Sequence, residues 1–159
     1  MELTVFTTPL TAEEIDFKIQ SGKNGRTLVV PYINNRAVMT RFDQQFGWAG
    51  WSNHYQEIDG GFFCTITVTL PDGRTVSKSD AASRTGIEPI KGGVSDAMKR
   101  VAVQFGLGRS LYDYPKIYID GEHKFIPDWS LDLLCKLVDK FNAGLVVKKM
   151  VFLKAEHAK

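Results

Sequence analysis

Cysteine is nearly absent from this 159-residue chain: Cys64 and Cys135 stand far apart and form no CxxC pair. That argues against a thiol-ligated zinc site and against a disulfide framework. The apolar context of each predicts two buried free thiols. Histidine is equally sparse, and His54, His123 and His157 show no ligand spacing, so no metal is expected. No apolar run approaches the ~20 residues of a membrane-spanning helix. The opening MELTVFTTPLTAEEID lacks the basic start and apolar middle of a secretory leader, which predicts a cytoplasmic protein. SGKNGR at 21–26 superficially looks like a phosphate loop, but the Gly-x-x-x-x-Gly-Lys-Ser/Thr order is missing and no nucleotide cofactor is expected. Excess charge is lacking as well. A formal net charge of +2 leaves composition silent about nucleic acid, so the positions of the cations matter more than their number.

What is present is the make-up of a folded globular protein, 43% hydrophobic and 11% aromatic. Its length suits a single domain over 1–159. The clearest pattern is FFCTITVTL at 62–70, where Phe62, Cys64, Ile66, Val68 and Leu70 face one way and Phe63 and the threonines the other. WSNHYQEI (51–58) can pair with it through IDGG, and TVSKSDAA (75–82) through PDGR, giving a three-stranded antiparallel meander.

RTLVVPYI (26–33) reads as a further strand. NNRAVMTRFDQQFG (34–47) reads as a helix with Val38, Met39, Phe42 and Phe46 on one face and Gly47 as its stop. Arg36 and Arg41 are expected to project from it. A short leading helix is expected over 12–20, with Thr11 and Glu14 as a capping box. SRTGIEPIKGG (83–93) reads as a loop, followed by a helix over 94–106 with Val94, Ala97, Met98, Val101 and Phe105 as its apolar stripe. A helix is expected over 129–141, and the role of 116–159 stays open. The fold class is α+β.

The segment KGGVSDAMKRVAVQFGLGRSLYD (91–113) carries most of the chemistry. Gly92 and Gly93 are expected at a helix N-terminus with free N–H groups, where phosphate is favoured. Lys91, Lys99, Arg100 and Arg109 line the same stretch, and Asp96 stands four residues before Arg100 as a possible partner. Such a strip suits a sugar-phosphate backbone, although a solvated basic helix face would read the same way. FGWAGWSNHY (46–55) adds aromatics that can stack unpaired bases if exposed. Trp51 begins a strand and reads as core, whereas Trp48, between glycines, can go either way.

Enzyme readings fare worse. Asp80, Glu88 and Lys91 are loosely like a metal nuclease set, but the last acid and the lysine are three apart with Pro89 between them. Ser95 and Cys64 have no evident base. A non-enzymatic protein is expected.

YINNRAVMTRFDQQFGWAGWS (32–52) resembles the signature of the Rad fifty-two family, a tyrosine entering a helix and then FG-x-x-GW. VSDAMKRVAVQFGLG…LYD (94–113) resembles that family's Val-Ser/Thr-Asp-x-x-Lys-Arg helix, and a hairpin with a DG turn stands between them. The matches cover about 26–115. The form most similar is the short bacteriophage type, related to a bacterial DNA-damage-response protein that binds DNA ends.

The resemblance implies a β-β-β-α core, protomers assembled into a ring, and single-stranded DNA in a positive groove with its bases outward. No nucleotide cofactor is implied. Lys99 and Arg100 take the place of the family's Lys-Arg pair, Arg36 lies at or beside its first-helix cation, and Trp48 follows the FG. Val103 and Ala37 stand where eukaryotic members carry arginines, which thins the positive charge. The expected DNA-binding set is therefore Lys99, Arg100, Arg36, Trp48, Arg109, Lys91 and Arg41. Annealing of complementary strands in recombination and repair is the first reading, with a phage origin, a partner exonuclease and a single-strand binding protein in view. Protection of 3′ ends without annealing, a purely structural oligomer, and contact with double-stranded DNA are the alternatives.

Overall fold

The computed structural model describes residues 4–146 and 148–158. In chain order the elements are α1 (Thr4–Thr7), β1 (Ile15–Lys23), β2 (Arg26–Ile33), α2 (Asn35–Phe46), β3 (Trp51–Ile58), β4 (Gly61–Thr69) and β5 (Thr75–Ser83). Then come α3 (Pro89–Phe105), β6 (Lys116–Asp120), α4 (Asp128–Asn142) and β7 (Met150–Leu153). Single turns of 3-10 helix occupy Ala12–Glu14, Arg109–Asp113 and Ala155–Ala158. The chain divides into two compact units, the first holding the residues up to Thr8 with Ile33–Arg109, the second Pro9–Tyr32 with Ser110 onward.

In the first unit β3, β4 and β5 form the expected antiparallel meander. Period-two alternation in β4 sends Phe62, Cys64, Ile66 and Val68 inward, where all four are buried. Helix α3 packs on β4 and β5, and its buried stripe is Ala97, Met98, Val101, Ala102 and Phe105. Helix α2 adds Val38 and Phe42, whose fully buried ring lies edge-on to Phe105 at 5.5 Å. Burying a Phe of this kind contributes roughly 1.5–3 kcal/mol. The outer face of the sheet is hydroxyl-rich, with Thr65 and Thr67 bonded across to Ser79 and Ser77 at 2.8 Å each. The fold is α+β, a three-stranded antiparallel sheet against helices.

The second unit corrects three expectations. Residues 15–23 form a strand rather than the second half of a helix, because Ile15, Phe17 and Ile19 alternate with polar neighbours and turn to the core. Only Ala12–Glu14 is helical, although the Thr11 N–H does donate to the Glu14 carboxylate at 2.9 Å. Asn24 and Gly25, both at positive φ (56° and 72°), close a two-residue hairpin from β1 into β2, a conformation that favours Asn-Gly. The stretch 116–159 holds two strands, β6 and β7, besides the expected helix. Strand β6 pairs antiparallel with β2 and parallel with β7, giving the order β1-β2-β6-β7. The expected helix α4 covers one face of this sheet, packing Leu134 and Leu137 on Val29, Ile117, Ile119 and Leu153. Cys135 on α4 is exposed, not buried; only Cys64 is a buried thiol. Among the described residues no helix is long and apolar enough to cross a membrane.

Candidate nucleic-acid interface

Helix α3 begins five residues earlier than its apolar stripe suggests. Pro89 takes the first turn, where its missing N–H costs nothing, after Glu88 in a left-handed conformation (φ 48°). Gly92 and Gly93 therefore lie inside the helix, and the Gly92 N–H is bonded to the Glu88 carbonyl at 2.8 Å. They do not offer free donors to phosphate. Their role is close packing: a Cβ on Gly93 would stand 2.7 Å from the Phe62 ring, and one on Gly92 2.0 Å from the Thr85 hydroxyl.

Further along, each cation of α3 is held by a carboxylate. Lys99 donates to Asp96 at 2.7 Å, and its side chain is only 16% exposed. Arg100 reaches instead to Asp80 on β5, Nε to Oδ1 3.1 Å, so the expected Asp96–Arg100 pair is replaced by these two. Lys91 pairs with Glu88 at 3.2 Å. Asp80 and Glu88 thus serve different cations and form no joint metal-binding pair with Lys91.

The structure also joins residues that are distant in sequence. The Gln104 carbonyl accepts from Lys78 of β5 at 2.6 Å and from Arg109 at 3.3 Å. The Gln104 side chain donates to Asp80, which holds Arg100. Lys78, Arg100 and Arg109 therefore surround the C-terminal half of α3 through one hydrogen-bonded network. Lys78 was missed in the sequence. Its signal was the spacing of Lys78 and Asp80, two apart on the face of β5 that meets α3. Burial pushes the Asp80 carboxyl up, but the Ala81 N–H and the Arg100 guanidinium outweigh it, and its pKa lies below the ordinary value.

Around α2 the placements differ. Arg36 is exposed on the first turn. A cation there gains nothing from the helix dipole, whereas an anion bound there would gain from both. Arg41 is buried, and its guanidinium donates to the Val5 carbonyl at 2.7 Å and the Thr8 carbonyl at 3.5 Å. It ties the N-terminal segment to α2 and is withdrawn from the interface. Met39, expected in the apolar face, is 42% exposed.

The FG-x-x-GW turn sorts its two tryptophans. Gly47 closes α2 at φ 76°, and a Cβ on Gly50 would stand 2.0 Å from the Phe46 carbonyl oxygen. The backbone so held presents Trp48 to solvent, 85% exposed. Trp51 folds back, its ring 5.1 Å from Phe42 and its Nε1–H donating to Asp43 at 2.8 Å. Neither tyrosine nor thiol chemistry suggests a nucleophile nearby: burial raises the Cys64 thiol to about 11 and, with Cys64 beside it, the Tyr55 phenol to about 12.

This unit thus offers cations in carboxylate partnerships that phosphate oxygens can replace with like geometry, together with one solvent-facing indole. Residues 4–124 match the Rad52/22 family of double-strand break repair proteins. The chain is 33% identical over 115 residues to the single-stranded DNA-binding protein DdrA of Deinococcus radiodurans, covering 70% of this chain and 55% of that protein. The same protein of Deinococcus deserti gives 33% over 115 residues, 70% of this chain and 56% of that one. The chain spans about half the length of these relatives.

Proposed function

From the premise that this chain belongs to the Rad52/22 family of double-strand break repair proteins, we propose that it binds single-stranded DNA and pairs complementary strands without ATP. The observation that carries the reading is Trp48, 85% exposed at a turn whose glycines hold it out of the core. An indole left in water while its neighbour Trp51 is folded in is a stacking surface for an unpaired base. The cations Arg36, Lys91, Lys99, Arg100 and Arg109, with Lys78 added, supply the phosphate neutralisation. The relatives named as single-stranded DNA-binding proteins support the same partner.

The mechanism is positioning rather than bond chemistry. Phosphates displace Asp80 and Asp96 from their cations, the strand is extended along α3, and its bases stay open for pairing. The protein acts in recombination or repair in the cytoplasm, the host's if it is phage-encoded, beside an exonuclease and a single-strand binding protein. Strands β3 and β5 are the edges of their sheet, and open edges favour pairing between protomers. We infer a closed homo-oligomeric ring, and light scattering that finds only monomer at micromolar concentration would overturn it.

The relatives' names speak of binding and not of annealing, which keeps protection of 3′ ends as a second reading. Mixing complementary fluorescent oligonucleotides with protein and no ATP separates the two. Faster pairing supports annealing; tight binding with unchanged pairing supports protection; no binding overturns both.

A further inference from the structure

Asp80 stands opposite the buried Cys64 in the ladder, on the inward face of β5, and its side chain is only 26% exposed. A carboxylate in such a place is costly unless donors surround it. Two of its donors come from α3, where Arg100 and Gln104 stand one turn apart and reach the same strand. Arg100 meets Oδ1, which also accepts from the Ala81 N–H, whereas the Gln104 amide donates to Oδ2 at 3.4 Å. The same Gln104 nitrogen donates to the Ser79 carbonyl at 2.7 Å, which pins it to β5. Burial works against the charge on Asp80, but the Ala81 N–H, Arg100 and Gln104 outweigh it and keep the carboxyl below its ordinary pKa.

We infer that Gln104 is a positioning residue of the α3 interface: it holds Asp80 while Arg100 turns from that carboxylate to a phosphate, and itself touches no DNA. The inference rests on the single-strand reading above and names a residue that tunes the same site. Arg100 leaves Asp80 readily only if the carboxylate left behind keeps its donors, because a half-buried anion stripped of them is destabilised. The Ala81 N–H serves Oδ1 alone, and Gln104 serves Oδ2. An amide is suited to this work, since it satisfies the oxygen without carrying a charge of its own. Without it Asp80 grips Arg100 harder, and the strand finds that cation less available.

Gln104→Met tests this, because methionine has similar length and removes both amide bonds. The backbone carbonyl of residue 104 still receives Lys78 and Arg109. The variant should bind a fluorescent single strand about three- to tenfold more weakly than the native protein, read by anisotropy. Asp80→Asn should then rescue it: with no anion left to hold Arg100, the double variant should bind as Asp80→Asn alone does. In Arg100→Gln protein, likewise, Gln104→Met should change affinity by less than about twofold. Urea unfolding checks that each variant is folded. If Gln104→Met does not fold, Gln104→Glu keeps a polar end at this half-buried position but donates nothing. It should lose at least as much affinity and recover part of it on Asp80→Asn.

Native affinity in a folded Gln104→Met protein overturns the inference and leaves the α3 interface standing. A loss of equal size with and without Asp80→Asn overturns it as well, because Gln104 then acts on the strand or on the fold rather than through Asp80. A native protein that binds no single strand overturns the single-strand reading and the inference with it.

Discussion

The Arg100 guanidinium meets the Asp80 carboxylate across the packing of α3 on β5, Nε to Oδ1 3.1 Å. Asp80 also accepts from the Ala81 backbone N–H at 2.8 Å and from Gln104. It is therefore a fixed acceptor, held on its strand whether or not the arginine stays. Arg100, 54% exposed along its side chain, is the partner that can leave. On the proposed single-strand reading, a phosphate oxygen that takes the place of Asp80 would find a cation already positioned, with Asp80 standing in for it beforehand.

Replacing this stand-in should tighten binding. Asp80→Asn keeps the shape and the acceptor for Ala81 but removes the charge that competes for Arg100. Single-strand affinity should rise several-fold at moderate salt, read by fluorescence anisotropy. Stability should fall by less than about 1 kcal/mol, since the arginine is more than half exposed and such pairs are screened. Weaker binding by a folded Asp80→Asn protein would show that Asp80 orients Arg100 rather than masks it.

The same carboxylate gives a pH signature. Its folded pKa is depressed below the ordinary value, so the unfolded chain binds the proton more readily. The contribution of Asp80 is then complete above the usual carboxylate pKa of about 3.9 and is lost as pH falls through the depressed value. Urea midpoints of the native protein should drop over that acid window more steeply than those of Asp80→Asn. Parallel curves for the two proteins would contradict the assignment.

Loss of the α3 cations should separate binding from folding. Lys99 is only 16% exposed along its side chain, so its stem packs, and glutamine is the better replacement than alanine. Lys99→Gln with Arg100→Gln should keep the helical signal and the proposed oligomer, weaken single-strand binding and the proposed annealing together, and flatten the salt slope by up to about two. Lys148→Ala with Lys149→Ala, two exposed lysines of the second unit, serves as the control and should do less. A more damaging control would place the main groove on the wrong unit.

Local signals were legible and distant ones were not. The meander and helix α2 follow from alternation, DG turns and a glycine stop, all within a few residues of one another. The DFKIQ segment at 16–20 also alternates, but the capping pair before it spoke for a helix, and pairing with β2 decided for strand. Strands β6 and β7 have five and four residues, too short to announce themselves before β2 and one another are in place. Gly92 and Gly93 read as loop because glycine is a poor helix former, yet Gly93 is needed where α3 crosses close to Phe62 and Gly92 where it meets Thr85. Arg41 read as a surface cation because its acceptors, the carbonyls of Val5 and Thr8, belong to a segment that no local pattern links to α2. Of the candidate cations, the Lys-Arg pair was legible, whereas Lys78 emerged only once β5 lay against α3.

The two tryptophans offer the sharpest contrast. Trp51 packs on Phe42 and bonds to Asp43, so Trp51→Ala leaves a gap at the core edge and should destabilise by about 2–3 kcal/mol, somewhat below a full core deletion. Trp48 is almost fully exposed, and Trp48→Ala should shift the thermal midpoint hardly at all. On DNA the order should reverse. Trp48→Ala should cost about 1–3 kcal/mol of single-strand affinity, Trp48→Phe should restore most of it because a ring still stacks, and Trp51→Ala should bind nearly as the native protein does wherever it stays folded. Fluorescence adds a direct readout, since the emission of an exposed indole should be quenched by single-stranded DNA and that quenching should vanish in Trp48→Ala. If Trp48→Ala binds as tightly as the native protein at every salt concentration, the exposed indole is not a stacking surface, and the affinity must come from other residues.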